Sequence, residues 1–253
     1  MRFRPCIDLH QGQVKQIVGS SLRDGRMPET HFIAEKPPAY FAELYRRDDL
    51  PGGHVIKLGP GNDEAAAEAL AAYPGGLQIG GGISAANAAQ WLDKGAAHVI
   101  VTSYVFRDGQ LHRDNLRRVV ESAGRERLVL DLSCGLRDGR YVVMTDRWQK
   151  ATNFAIDRDH LEFLAESCSE FLVHAIDVEG KQQGIDEELI ELLGDIAPIP
   201  TTYAGGVRCR EDVDIIARAG QGKLDFTVGS ALDIFGGTGL RYEAMAALRQ
   251  GSA

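Results

Sequence analysis

Two aspartates sit where a solvated charge is out of place: Asp8 between Ile7 and Leu9, and Asp131 between Leu130 and Leu132. A carboxylate at the end of an apolar run serves either as a structural cap or ion-pair partner, or as a proton-transfer group whose pKa its surroundings have moved. Two such groups facing one reacting carbon give acid–base chemistry, one protonating while the other abstracts, provided their pKa values differ. Two glycine pairs, Gly81-Gly82 and Gly205-Gly206, suggest what the acids act on. Glycine lets backbone N–H groups approach an oxyanion, a following helix N-terminus adds free donors, and a serine hydroxyl adds another. Ser103 follows the first pair and Gly229-Ser230 the second, so each set is a candidate phosphate cradle. The competing role is a tight turn from strand to helix.

These features repeat in order. Asp8 and Asp131 are 123 residues apart (131 − 8), Gly81 and Gly205 are 124 apart (205 − 81), and Ser103 and Ser230 are 127 apart (230 − 103). The offsets divide the chain near Gly124 into halves of about 1–124 and 125–253. A duplicated layout favours a working acid pair over two unrelated caps, and two phosphate cradles over two unrelated turns. The ligand it implies is a small molecule with a phosphate at each end.

The elements that must hold these residues follow from hydrophobic patterning. Eight short apolar runs alternate with longer amphipathic stretches: Pro5–Leu9, Val55–Leu58, Leu77–Ile79, His98–Val101, Leu128–Leu132, Phe171–Ile176, Ile199–Tyr203 and Leu224–Val228. Alternation of this kind marks parallel strands covered by helices, and eight units in 253 residues predict an α/β fold, a single (β/α)8 TIM barrel with a two-fold half-barrel repeat, over the whole chain. Helices are expected over Pro38–Arg46, Asp63–Ala72, Ala85–Asp93, Asp114–Ser122, Asp157–Glu166, Asp186–Leu193, Arg210–Ala219 and Leu240–Leu248, with Gly95, Gly124, Gly194 and Gly220 near their ends. Two segments break the alternation, Gln11–Pro37 and Ser133–Asn153, and each follows one of the aspartates. Long excursions at that end of a barrel are expected to line the active site. The first holds an extra strand in Gly-Gln-Val-Lys-Gln-Ile-Val, and the second turns through Arg137-Asp138-Gly139-Arg140.

Composition narrows the partners. A formal net charge of −8 and the lack of a concentrated basic face argue against nucleic acid. No apolar run approaches the ~20 residues a bilayer span needs. Cys6, Cys134, Cys168 and Cys209 are far apart, so reduced thiols in the cytoplasm are expected, and no targeting peptide is expected before Ile7. None of the seven histidines has metal-ligand spacing, and Gly80-Gly81-Gly82 is not a dinucleotide fingerprint. Chemistry without metal or cofactor, in a monomer, is the expectation.

The segments Cys6-Ile7-Asp8-Leu9-His10-Gln11-Gly12-Gln13-Val14-Lys15-Gln16, Gln78-Ile79-Gly80-Gly81-Gly82-Ile83, Leu130-Asp131-Leu132 and Ala204-Gly205-Gly206-Val207 carry a resemblance that runs essentially end to end. The chain resembles the phosphoribosylformimino-aminoimidazole carboxamide ribotide isomerases of histidine biosynthesis. Val55–Pro60 and Gly229–Gly237 are similar to the fungal and eukaryotic branch. The resemblance implies an Amadori rearrangement of an aminoaldose to an aminoketose. Asp131 would be the general acid on the ring oxygen and Asp8 the base that takes the C2 proton. One substrate phosphate would sit at Gly81, Gly82 and Ser103, the other at Gly205, Gly206, Gly229 and Ser230, with Trp148 stacking on the heterocycle.

The departures fall near the sixth strand. Where bacterial relatives have a threonine and then an aspartate, this chain has His174 and Glu179. Glu179 is expected to supply the missing carboxylate, with Asp177 as its competitor, while His174 either binds substrate or packs in the strand. Lys57 replaces an acid on the second strand and is expected to pair with Asp8 or Glu179. Two rival functions stay open at this point. One is the sister barrel of the same pathway, the cyclase subunit of imidazole-glycerol phosphate synthase, a lyase that works with a glutaminase partner. The other is a non-catalytic barrel that binds phosphorylated ribosides. Activity toward phosphoribosylanthranilate is a further open question.

Overall fold

A computed structural model describes residues 1–17, 30–146, 148–179 and 184–250. Eight parallel strands run in chain order: β1 (Cys6–His10), β2 (Gly53–Lys57), β3 (Leu77–Gly80), β4 (His98–Val101), β5 (Leu128–Asp131), β6 (Glu170–His174), β7 (Thr201–Ala204) and β8 (Leu224–Phe226). Each pairs in parallel with the next. The segment before β1 closes the ring. Phe3 bridges Phe226 in parallel, Arg4 N–H donates to the Phe226 carbonyl at 2.8 Å, and Phe226 N–H donates to the Arg2 carbonyl at 3.0 Å. The fold is the expected (β/α)8 barrel.

The runs LVLD and HVIV are apolar except for Asp131 at one end and His98 at the other, because each strand is buried on both faces, by helices outside and by barrel filling inside. The covering helices are α1 (Pro38–Arg47), α2 (Asp63–Ala72), α3 (Ala88–Asp93), α4 (Arg113–Ala123), α5 (Arg158–Ala165), α6 (Glu187–Ile196), α7 (Arg210–Ala219) and α8 (Tyr242–Ala246). Asp157 and Asp186 cap α5 and α6 by accepting from the N–H groups of His160 and Leu189, at 3.0 and 3.1 Å. No helix among the described residues is long and apolar enough to cross a membrane.

Three helices differ from the sequence expectation by two residues or more at an end. Helix α3 begins at Ala88 rather than Ala85, because the Asn87 side chain accepts from Ser84 N–H at 2.9 Å and donates to the Gly82 carbonyl at 3.0 Å, holding those residues in a turn. Gly194 does not end α6, which runs on to Ile196. A Cβ there would lie 2.9 Å from Gly220 Cα and 3.0 Å from the Ala219 carbonyl oxygen, so this glycine lets α6 and the end of α7 touch. Helix α8 is shorter than expected, giving way at Ala247 to a 3-10 turn.

Two layers fill the barrel. Ile100, Val129, Leu172 and Ala204 cluster with Ile56. Gly80 sits among them, where a Cβ would approach Ile56 Cδ1 at 2.6 Å. At the strands' N-terminal ends lies a buried polar group. Arg4 Nε meets Asp225 Oδ2 at 2.7 Å, its NH2 lies 3.8 Å from Glu170 Oε2, and Gln78 and Thr202 donate to Glu170, each at 3.1 Å. That end is sealed, which leaves the C-terminal end for chemistry.

Both excursions form antiparallel structure over that end. After β1 the chain turns into the strand Gln13–Ile17, which pairs with β1 and with Thr30–Ile33; residues 18–29 of this excursion lie outside the described residues. After β5 a three-stranded sheet forms from Cys134–Arg137, Arg140–Thr145 and Lys150–Ala155. Its first turn places Asp138 and Gly139 at φ of 49° and 77°, the left-handed pair that a two-residue hairpin requires.

Candidate active site

Asp8 lies within β1, and Asp131 and His174 end β5 and β6. The antiparallel return of Gln13–Ile17 brings Gln16 back over β1, and its Nε2 donates to Asp8 Oδ2 at 3.2 Å. Asp131 Oδ1 accepts from Ser133 Oγ and meets His174 Nδ1, both at 3.1 Å. Both partners of the latter pair are mostly enclosed, with 18% of the His174 side chain and 14% of the Asp131 side chain exposed.

The two aspartates have opposite electrostatic characters. Burial pushes the Asp8 carboxyl up to about 7, and the negative charge of Glu179 adds to the rise, against opposing pulls from His174 and the Gln16 hydrogen bond. Burial also acts to raise Asp131, but the His174 charge and hydrogen bonds from His174, Ser133 and Thr102 outweigh it, so this carboxyl is held below its ordinary value. Burial disfavours the charged form of His174, yet Asp131 first, then Glu179 and Asp8, lift the imidazole to about 9. Glu179 is raised by burial. Near neutrality the site therefore holds an ionised Asp131 against a His174 imidazolium, with Asp8 poised to gain or lose a proton.

Two lobes of one cleft meet at these groups, since Asp8, Ile17, His174 and Glu179 line both. Gly205, Gly206, Gly229 and Ser230 line the first lobe. Gly205 and Gly206 have φ of +124° and +73°; a Cβ on Gly205 would lie 2.9 Å from the Ala175 carbonyl oxygen, and one on Gly206 would overlap the Gly184 carbonyl. Only glycine fits there. The second lobe is more apolar, walled by Ile56, Leu58, Phe106, Met144 and Trp148, with Thr102, Ser103 and Ser133 as polar points. Trp148 has φ of +67°, a left-handed conformation that costs a bulky residue on the order of 1 kcal/mol or more and is kept where position matters.

The expected residues do not all arrive together. Asp8, Asp131, His174, Glu179, Ser103, Trp148, Gly205, Gly206, Gly229 and Ser230 line the cleft, whereas Gly81 and Gly82 are not among the residues walling either lobe. Gly81 has φ of +87° and packs its Cα against the Lys57 carbonyl, where a Cβ would overlap. Lys57 does not pair with Asp8 or Glu179. Its Nζ lies 2.8 Å from Asp63 Oδ1 and 4.1 Å from the Trp91 ring centre, because its side chain leaves the barrel toward α2 and α3. Asp177 also turns away, accepting from Leu136 N–H at 2.9 Å and meeting Arg137 NH1 at 3.3 Å, so Glu179 is the carboxylate of this loop that reaches the cleft. The sequence reading assigned no role to Gln16, Thr102 or Ser133. Ser133 stands two residues beyond Asp131, a spacing that could have marked it; Gln16 becomes a neighbour of Asp8 only through the hairpin register.

Comparison with known proteins follows the same direction. The profile of the family described as histidine biosynthesis protein matches residues 2–237. A chloroplastic protein of Medicago truncatula is 55% identical over 244 residues, covering 94% of this chain and 78% of its own. A Neurospora crassa protein is 52% identical over 94% of this chain and 95% of its own, and one from Saccharomyces cerevisiae is 44% identical over 96% and 95%. All three are named 1-(5-phosphoribosyl)-5-((5-phosphoribosylamino)methylideneamino) imidazole-4-carboxamide isomerase.

Proposed function

The chain belongs to the histidine biosynthesis protein family, and from that premise we propose that it isomerises the bis-phosphorylated aminoaldose named in its relatives to the corresponding aminoketose. The observation that carries this reading is the meeting of Asp8 with the Asp131–His174 pair where two differently lined lobes join. The polar, glycine-walled lobe suits the phosphate of the reacting ribosyl group. The lobe with Trp148 and Ser103 suits the imidazole carboxamide and its own phosphate. Asp8, poised near neutrality, takes the C2 proton once the sugar ring has opened, and the proton that opens the ring comes from the Asp131 side of the cleft. The phosphate role of Gly81 and Gly82 rests on their position after β3 and on resemblance. The cyclase and the binding-only barrel are not favoured, since the curated relatives are named isomerases.

We also read residues 1–253 as one domain built from two half-barrel repeats, each giving an aspartate followed by an antiparallel excursion. The enzyme acts as a monomer in the cytoplasm, a placement in keeping with its free cysteines. The test is turnover. The purified chain is to convert the aminoaldose to the aminoketose without added cofactor, and Asp8→Asn is to bind substrate yet lose on the order of 10³-fold in kcat. Turnover by Asp8→Asn near the normal rate would remove Asp8 from the mechanism. Ammonia-dependent consumption of the aminoketose instead would replace the isomerase with the cyclase.

A further inference from the structure

Asp131 alone is poorly placed to deliver a proton. A single oxygen, Oδ1, is shared by Ser133 Oγ and His174 Nδ1, both at 3.1 Å, and donors converging on a carboxylate stabilise its ionised form. His174 has the opposite setting. It ends β6 where the two lobes join and lines both of them. The titratable groups around it are Asp131 on β5, Asp8 on β1, Glu179 on the loop after β6 and His54 on β2. Three of these are carboxylic acids, and burial lowers His54 to about 3, leaving it neutral. With Nδ1 engaged by Asp131, an imidazolium at this position has its second proton on Nε2.

We propose that His174 is the catalytic proton donor for ring opening, with Asp131 as the counterion that fixes its ring through Nδ1. The assignment rests on the isomerase reading above. In the first step the bond between C1 and the ring oxygen breaks, its electron pair stays on oxygen, and the Nε2 proton of His174 makes that oxygen a hydroxyl. Nitrogen donates to C1 to form the protonated Schiff base. Asp8 then removes the C2 proton, giving the enaminol. Return of that proton to C1 and passage of the O2 hydroxyl proton to His174 yield the ketose and restore both groups, so protons balance without a co-reactant.

The experiment compares pH profiles of kcat/KM for the wild type, His174→Asn, His174→Gln and Asp131→Asn, with thermal melting as a check on folding. The wild type is expected to fall off on the alkaline side near pH 9, where His174 deprotonates. Both His174 variants should lose that limb and about 10²- to 10³-fold in rate. Asp131→Asn should keep the limb but move it to lower pH, because the imidazolium has lost its counterion. Persistence of the limb in folded His174 variants, or a loss below about threefold, overturns the proposal. So does disappearance of the limb in Asp131→Asn together with its survival in His174→Asn. Should the variants not fold, a histidine NMR titration of the wild type decides, with a His174 midpoint near 9 expected and one at or below the ordinary 6.5 contrary to it. A wild type inert toward the aminoaldose would instead sink the isomerase reading itself.

Discussion

Gln16 Nε2 donates to Asp8 Oδ2 at 3.2 Å, so the assigned base is held by a residue of the antiparallel strand laid against its own. The bond stabilises the ionised carboxylate and opposes the rise that burial and Glu179 impose. Gln16→Leu removes the donor and keeps comparable volume. The acidic limb of kcat/KM, set in the wild type near pH 7, is then expected to move upward. Activity should drop several-fold at neutrality and recover toward pH 8. An unmoved limb would mean that the bond does not tune Asp8.

Asp8→Asn should stabilise the fold while destroying activity. The Asp8 pKa is raised to about 7 in the folded protein, so the unfolded chain releases this proton first and folding is penalised as pH rises from about 4 to 7. The neutral amide escapes that penalty. An advantage of up to about 4 kcal/mol is expected at pH 8, shrinking below pH 7 and gone below pH 4, where the wild-type carboxyl is protonated in both states. At roughly 2–4 °C per kcal/mol for a chain of this size, melting curves at pH 8 and pH 4 resolve it. Equal shifts at both pH values would disprove the linkage.

Trp148→Ala should separate binding from chemistry. The indole walls the lobe assigned to the heterocycle, and the reacting groups stand at the junction. Loss of one aromatic wall is worth about 1–1.5 kcal/mol, so KM should rise about tenfold with kcat nearly unchanged. A fall in kcat with KM constant would place Trp148 in the chemical step instead.

Arg4→Ala should act at the opposite end of the barrel. It leaves Glu170 buried without its cation and Asp225 with only the more distant, largely exposed Arg2 at 3.9 Å, a change that typically costs about 3–5 kcal/mol. The melting temperature should fall by roughly 10 °C. The pH dependence of the remaining activity should match the wild type, since the sealed end lies away from Asp8 and His174; a displaced limb would show that the two ends communicate.

What the sequence made legible, and what it did not, divides along physical lines. Eight apolar runs marked the strands because strands buried on both faces admit few polar residues. Asp8 and Asp131 stood out because a charge between leucine-like neighbours needs a reason. Lys57 was misread because its actual partners, Asp63 and the Trp91 ring, come within reach only when α2 and α3 pack on β2. Gly194 looked like a helix end and is a contact between two helices. His174 was readable as a departure, but its ion pair depends on the register that sets the end of β6 beside the end of β5.

The bridge between Phe3 and Phe226 joins points 223 residues apart (226 − 3). During synthesis the segment leading into the first strand therefore emerges long before its partner exists, and it must wait with an open edge able to pair with other chains. The final strand is the stave that tightens the cask. Truncation just before Leu224 would leave most of the core residues present and the sheet unclosed, so the last turn of the ribosome's work decides whether the nascent protein becomes a sealed enzyme or an adhesive ribbon.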